Sequence, residues 1–280
     1  MIGSKRSPLM TAGMYGLLLL FIVFLAFPLV WLISTSLKGP QELVALDPSV
    51  IPRAPTLDNY IAAFQEQDLV RAAVNSAIVA GTTAFLTVLI VLPGAYAMVR
   101  FTGRIQKVSM GWIVVSQVFP LILIIIPLFL VLRDLRLLNT LYGLILVYLV
   151  WSLPFTLWML MSYVRAIPVD LEEAGMVDGC GRLGVIRRIV LPLLAPGLVV
   201  VLMFAFIASW NEFFLALVVL QDPELTTIPV RLARFVGSEG VVRLGPLAAA
   251  ALIATIPSLV IFTLLQGRIT QGLMAGGVKG

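Results

Sequence analysis

Four carboxylates, Asp170, Glu172, Glu173 and Asp178, fall within nine residues, followed by Gly179, Gly181 and Gly184 and by the basic Arg182, Arg187 and Arg188. A second candidate is Glu212, which stands with Ser209 and Asn211 in an otherwise uncharged run. The chain has no histidine and one cysteine, Cys180. That excludes His/Cys metal clusters, Cys–His nucleophiles and internal disulfides. Gly179 to Gly184 fits G-x-G-x-x-G literally, but a charged, helix-prone run precedes it where a dinucleotide site needs a buried strand. No G-x-x-x-x-G-K-[ST] phosphate loop occurs. What these residues can do is pair charges and let backbones approach closely, which suits a passage or a coupling element better than an enzyme.

The elements that carry them are hydrophobic. Of 280 residues, 60% are apolar and only 12% charged, with a mean hydropathy of +1.07. Soluble domains carry about 25% charged residues. Six apolar stretches, 12–35, 72–99, 109–132, 141–163, 196–220 and 247–266, are each long enough to cross a hydrocarbon layer of about 30 Å as a helix. Glu212 alone among the charged residues falls inside one of them. Alternating strands of a membrane barrel are absent from runs such as Val118 to Leu132. The expected fold is therefore an all-α polytopic membrane protein of six transmembrane helices in a single domain over 1–280. The first stretch exceeds a cleavable signal core and is expected to be retained.

Six spans put both termini on one side. Placing them in the cytoplasm gives the inner segments 11 Lys/Arg against 8 outside, in the direction of the positive-inside rule. A basic rim facing anionic lipid accounts for the pI near 9.7 without nucleic acid. The longest inner segment is then 164–195. Pro168 ends one helix, and Asp170 with Glu173 resembles a capping box that opens another. The glycines break that helix, and Arg182 to Leu191 leads through Pro192 and Pro196 into the fifth span. This segment either lies on the lipid interface or docks as a helix–turn–helix in a groove of another protein.

The same residues carry a family resemblance. The permease subunits of binding-protein-dependent ABC importers share a signature written EAA-x3-G-x9-I-x-LP. Here it reads Glu173, Ala174, Gly175, then Gly179, Ile189, Leu191 and Pro192, with Gly175 departing from Ala. Pro55 to Tyr60, Trp210 to Phe213 and the ending Gly272 to Gly280 are similar to elements of the carbohydrate permeases of the MalG type. The resemblance covers nearly the whole chain. It implies the type I importer permease fold, prokaryotic plasma-membrane location, and no catalysis by this chain. It also implies a MalF-like second permease, two ATPase subunits that hold ATP and Mg, and an extracytoplasmic sugar-binding protein. No cofactor is expected on this chain. The loop 164–195 would be the coupling loop, docking in an ATPase cleft through Glu173, Gly179, Ile186 and Ile189. Glu172, Ala174, Gly175, Asp178, Leu191 and Pro192 complete it, and Val278, Lys279 and Gly280 would add contact from the tail. Ordinary interfacial packing is the other reading of Ile186 and Ile189. A secondary transporter or channel without ATPase partners is the alternative function; it would call for ionisable relays that one Glu does not supply.

Two readings stay open for Glu212. With Ser209 and Asn211 it lines a candidate translocation path, or it snorkels outward or caps a neighbouring helix. Pro120 and Pro127, seven apart, are expected to kink the third span on one face. Ala248 to Ala251 permit tight helix packing.

Overall fold

The computed structural model describes residues 8–101, 103–236 and 242–276. Thirteen α-helices are described: α1 (Pro8–Ser36), α2 (Pro40–Leu43), α3 (Asp58–Gln67), α4 (Leu69–Arg100), α5 (Arg104–Val118), α6 (Leu121–Asp134), α7 (Leu141–Ala166), α8 (Val169–Val177), α9 (Arg182–Val185), α10 (Leu191–Trp210), α11 (Phe214–Val219), α12 (Ile228–Ala233) and α13 (Leu244–Gly276). A π-helical turn, Ile186–Val190, joins α9 to α10. The chain divides into two compact units, one of residues 1–69 and 232–255, the other of 70–231 and 256–280.

In the first unit α1 is apolar all round and mostly exposed from Met10 to Val30, as suits a helix whose solvent is lipid, and it is buried only at its end, at Ser34 and Ser36. Its end is tied down by the segment Pro55 to Tyr60. Asn59 Nδ2 donates to the carbonyls of Ser36 (2.9 Å) and Lys38 (2.7 Å), which the helix end leaves without partners. Tyr60 Oη lies 2.9 Å from Ser36 Oγ, and Thr56 N donates to Leu37 O. Gly245 sits against the Asn59 amide, where a Cβ would collide. In the following loop the Ser49 hydroxyl, 2.6 Å from Glu42 Oε1, holds the Glu42 carboxyl below its ordinary pKa.

The second unit is organised by α4, α7 and α10. Small and hydroxyl residues let α4 and α7 approach: Thr87 Oγ1 and Ser152 Oγ are 2.9 Å apart, and Thr156 Oγ1 donates to Ser152 O. One apolar cluster gathers Leu144, Tyr148, Leu215 and Val219; another gathers Leu160 and Val164 of α7 with Val185, Val190 and Leu194 from the segment that leads into α10 and from its first turn. Asn75 donates to the carbonyls of Glu224 and Thr226, and Ser76 accepts from Ile228 N, so the start of α4 holds the segment before α12.

Two expected spans differ in kind. The stretch 109–132 is not one helix: α5 and α6 meet at 103° across Phe119 and Pro120. Proline removes a backbone donor and pushes its predecessor to extended geometry, and Phe119 has φ −71° and ψ 125°. Pro127, expected to kink the same face, lies inside α6. The stretch 196–220 begins earlier and ends earlier. Helix runs from Arg182 through the π turn to Trp210, with Pro192 in the first turn of α10, and breaks over Asn211 to Phe213 before α11. In the π turn Leu191 N reaches Ile186 O, a widened register just ahead of a residue that cannot donate. Glu212 therefore lies at a helix break and not within a span.

Candidate functional site

The segment after α7 folds as a helical hairpin. Pro168 occupies the cap of α8 and makes no side-chain cap bond, so the capping box expected from Asp170 and Glu173 does not form. Asp170 and Glu172 instead stand in the first turn, where carboxylates favour the helix dipole. α8 ends in a Schellman arrangement: Cys180 N donates to Gly175 O (3.0 Å) and Gly179 N to Met176 O (3.1 Å). Gly179 has φ +86°, in the left-handed region that side chains with a Cβ disfavour by about 1–2 kcal/mol. Gly179→Val is expected to cost at least that much and to loosen the hairpin, read as a lower apparent Tm of the purified chain and faster proteolysis between 177 and 185. Unchanged Tm and cleavage would contradict it.

Glu172 is the anchor of the hairpin. Its side chain is 6% exposed and that of Arg100 is 12%. Arg100 Nε donates to Glu172 Oε1 (2.7 Å), and Tyr96 Oη donates to Oε2 (2.7 Å). The other arm of Arg100 donates to Ile167 O (2.8 Å) and Val164 O (3.2 Å) at the end of α7. One guanidinium thus pins α4, α7 and α8 together. Neither Arg100 nor Tyr96 was a sequence candidate. Their i, i+4 spacing on α4 puts them on one face, but nothing local pointed to a partner 72 residues on.

The remaining loop candidates separate into two faces. Gly175 packs against Ile189, whose Cδ1 would lie 2.5 Å from a Cβ there, so the alanine of the family signature would require that terminal methyl to shift. Ile189 and Ile186 are half-buried and Leu191 partly so. Ile189 thus packs on Gly175, the second of the two readings the sequence left open for it, and stays partly exposed. Glu173, Ala174, Asp178, Gly179 and Pro192 are exposed. Beside them Val177 (86% exposed), which the sequence places on the apolar side of the short helix, and Leu183 (81%), which it did not single out, project from the hairpin tip. Val278, Lys279 and Gly280 lie outside the described residues.

At the break between α10 and α11, Glu212 caps the short helix. Oε1 accepts from Leu215 N (2.9 Å), and Oε2 from Ala216 N (3.0 Å) and Tyr148 Oη (2.7 Å). Capping is one of the roles the sequence left open for Glu212, and with Ser209 it also lines a cavity of about 160 Å³ between α7 and α10. Asn211 is exposed and donates to Ile207 O (2.8 Å) instead. Among the described residues no group of His, Cys, Asp and Glu is placed to hold a metal ion.

The comparisons with known proteins agree with this geometry. The family described as "Binding-protein-dependent transport system inner membrane component" matches residues 90–274. A putative ABC transporter permease of Streptomyces antibioticus is 55% identical over 229 residues, 82% of this chain and all of the relative. The sulfoquinovosyl glycerol permease SmoH of Agrobacterium fabrum is 39% identical over 91% of this chain and 89% of its own. The trehalose/maltose permease MalG of Thermococcus litoralis is 35% identical over 95% of both. Among solved structures, a chain of a bacterial ABC transporter that imports the acidic polysaccharide alginate superposes with a TM-score of 0.79 at 21% identity, over 95% of this chain and 99% of that one. A signature hairpin pinned by a buried ion pair, an all-α set of apolar helices and relatives aligned nearly end to end lead to one statement. The chain belongs to the binding-protein-dependent transport system inner membrane components, as a non-catalytic, multi-pass ABC transporter permease subunit of the type I importer fold.

Proposed function

We propose that the chain is one of two membrane subunits of an ATP-driven importer for a sugar or sugar derivative. The observation that carries the coupling role is the hairpin: a short, Schellman-stopped helix locked to α4 and α7 by Arg100 and Glu172, with an exposed tip. A body fixed rigidly to spanning helices and bare at its end is built to pass a partner's movement into the membrane. The sugar class is supported by relatives named for sulfoquinovosyl glycerol, diacetylchitobiose and trehalose/maltose. The partners are a MalF-like permease, two ATPase subunits carrying ATP and Mg, and an extracytoplasmic binding protein that delivers the solute. Both termini face the cytoplasm, in keeping with the Lys/Arg excess of the segments on that side. No cofactor belongs to this chain. Docking uses Glu173 and Asp178 as charges and Val177 and Leu183 as apolar contacts, the tail Val278 to Gly280 adding to it.

Co-purification of a tagged chain with an ATPase subunit, and ATP hydrolysis stimulated by the loaded binding protein, test the reading. Val177→Asp with Leu183→Asp is expected to cut both by about ten-fold or more, since charges would enter an apolar contact. The two positions are exposed, so the isolated chain keeps its Tm. Full co-purification and stimulation in that variant would sink the docking surface; solute movement by the chain with no ATPase present would sink the importer reading.

A further inference from the structure

The cavity between α7 and α10 has the makings of a solute site. Its apolar wall is aromatic: Tyr148, Trp151 and Phe155 come from α7 and Phe204 from α10. The rings of Phe155 and Phe204 lie 4.5 Å apart, inclined at 33°. Its polar groups are few and of one kind, the uncharged Gln117, Ser152 and Ser209, together with the Glu212 carboxylate. Gln117 and Trp151 also border an adjoining cavity of about 330 Å³. Both stand next to helix discontinuities, Gln117 just before the α5–α6 bend and Glu212 at the α10–α11 break. Cavities bordered by broken helices between spanning ones are where secondary transporters hold their solutes, and the same geometry suits an importer.

Charge decides what fits. No Lys or Arg lines this cavity among the described residues, and the one ionised group is a carboxylate held in place by two backbone N–H groups and the Tyr148 hydroxyl. Two like charges about 6 Å apart, at the effective dielectric of a partly enclosed site, disfavour binding on the order of a hundred-fold. Flat aromatic faces match the C–H faces of a pyranose ring, while hydroxyl and amide groups orient its hydroxyls. We propose that this chain contacts the solute itself, in this cavity, and that the solute is an uncharged saccharide. The inference rests on the importer reading and narrows it: a carboxylated or sulfonated sugar, of the kind for which some relatives are named, is excluded by Glu212 and by the lack of a compensating cation.

The test uses the whole complex with its binding protein in proteoliposomes. Uptake of labelled maltose, trehalose and N,N′-diacetylchitobiose is compared with that of sulfoquinovosyl glycerol and an alginate disaccharide. Uptake is expected from the uncharged set alone. Trp151→Ala and Phe204→Ala are expected to lower it by about ten-fold or more, and Trp151→Phe to restore most of it. Assembly is checked by size-exclusion chromatography. Should Trp151→Ala fail to assemble, Ser209→Trp, which fills the cavity from its rim, is expected to block uptake in an assembled complex. Transport of an anionic sugar at a rate equal to the neutral ones would overturn the proposal, as would wild-type uptake in the assembled Trp151→Ala or Ser209→Trp complex. If neither set moves although ATP is hydrolysed, the sugar reading itself falls, and the subsite with it.

Discussion

Arg100→Ala is expected to destabilise the permease by about 3–5 kcal/mol and to uncouple it from its motor. Removing one partner of a buried ion pair leaves the other charge without compensation. Glu172 would retain only the Tyr96 hydroxyl, the Ile167 carbonyl would lose the guanidinium donor, and that of Val164 would keep only Ile167 N. The consequence is mechanical as well as thermodynamic, since the hairpin proposed to couple the chain to its ATPase would no longer be fixed to α4 and α7. The measurement is the apparent Tm of the purified chain, followed by solute-stimulated ATP hydrolysis in the complex. Arg100→Met combined with Glu172→Leu is expected to regain most of the Tm, because an apolar pair of similar volume removes the buried charge altogether. If Glu172 served instead as a docking charge, Glu172→Ala would leave the Tm where it was and reduce only ATPase binding. That result, or an unchanged Tm in Arg100→Ala, contradicts the anchor.

Gly197→Val is the second large effect. Gly197 of α10 is buried against Tyr163 of α7, and even a Cβ would lie 2.6 Å from Tyr163 Cγ and 3.0 Å from its Cβ. The clash is with the root of the side chain as well as its ring, so a rotamer change cannot relieve it. The helices must separate or the residue must distort, at about 1–3 kcal/mol or more. Because α7 and α10 also supply the walls of the cavity at Phe155 and Phe204, the separation reaches the proposed solute site. Loss of apparent Tm together with weakened uptake is expected. Tyr163→Ala in the same chain should recover part of both by making room, and its failure to do so would place the defect elsewhere.

Much of the architecture could be read from residue order alone. Apolar runs longer than a bilayer is thick admit few folds, because a buried backbone in lipid must satisfy its own hydrogen bonds. The spacing of Glu173, Gly179, Ile189 and Pro192 located the hairpin for a similar reason: a left-handed glycine and a proline act on their immediate neighbours. What failed were readings that treated helix continuity as a matter of hydropathy. A window of apolar residues cannot register the difference between Pro120, which breaks a helix, and Pro127, which rides within one; packing around each decides that.

The residues by themselves determined that this chain is a helical membrane protein with a permease-signature hairpin early in its second half. Those properties depend on composition and on contacts only a few positions apart. Tertiary structure alone decided that Glu172, not its neighbour Glu173, is the inward anchor and that Arg100 is its partner. It likewise decided that Ile189 faces Gly175 and that Glu212 both caps α11 and borders an aromatic cavity. Except for the local cap of α11, those pairings join separate segments, and a side chain's direction on a helix surrounded by apolar matter leaves no periodic trace in the sequence to reveal it.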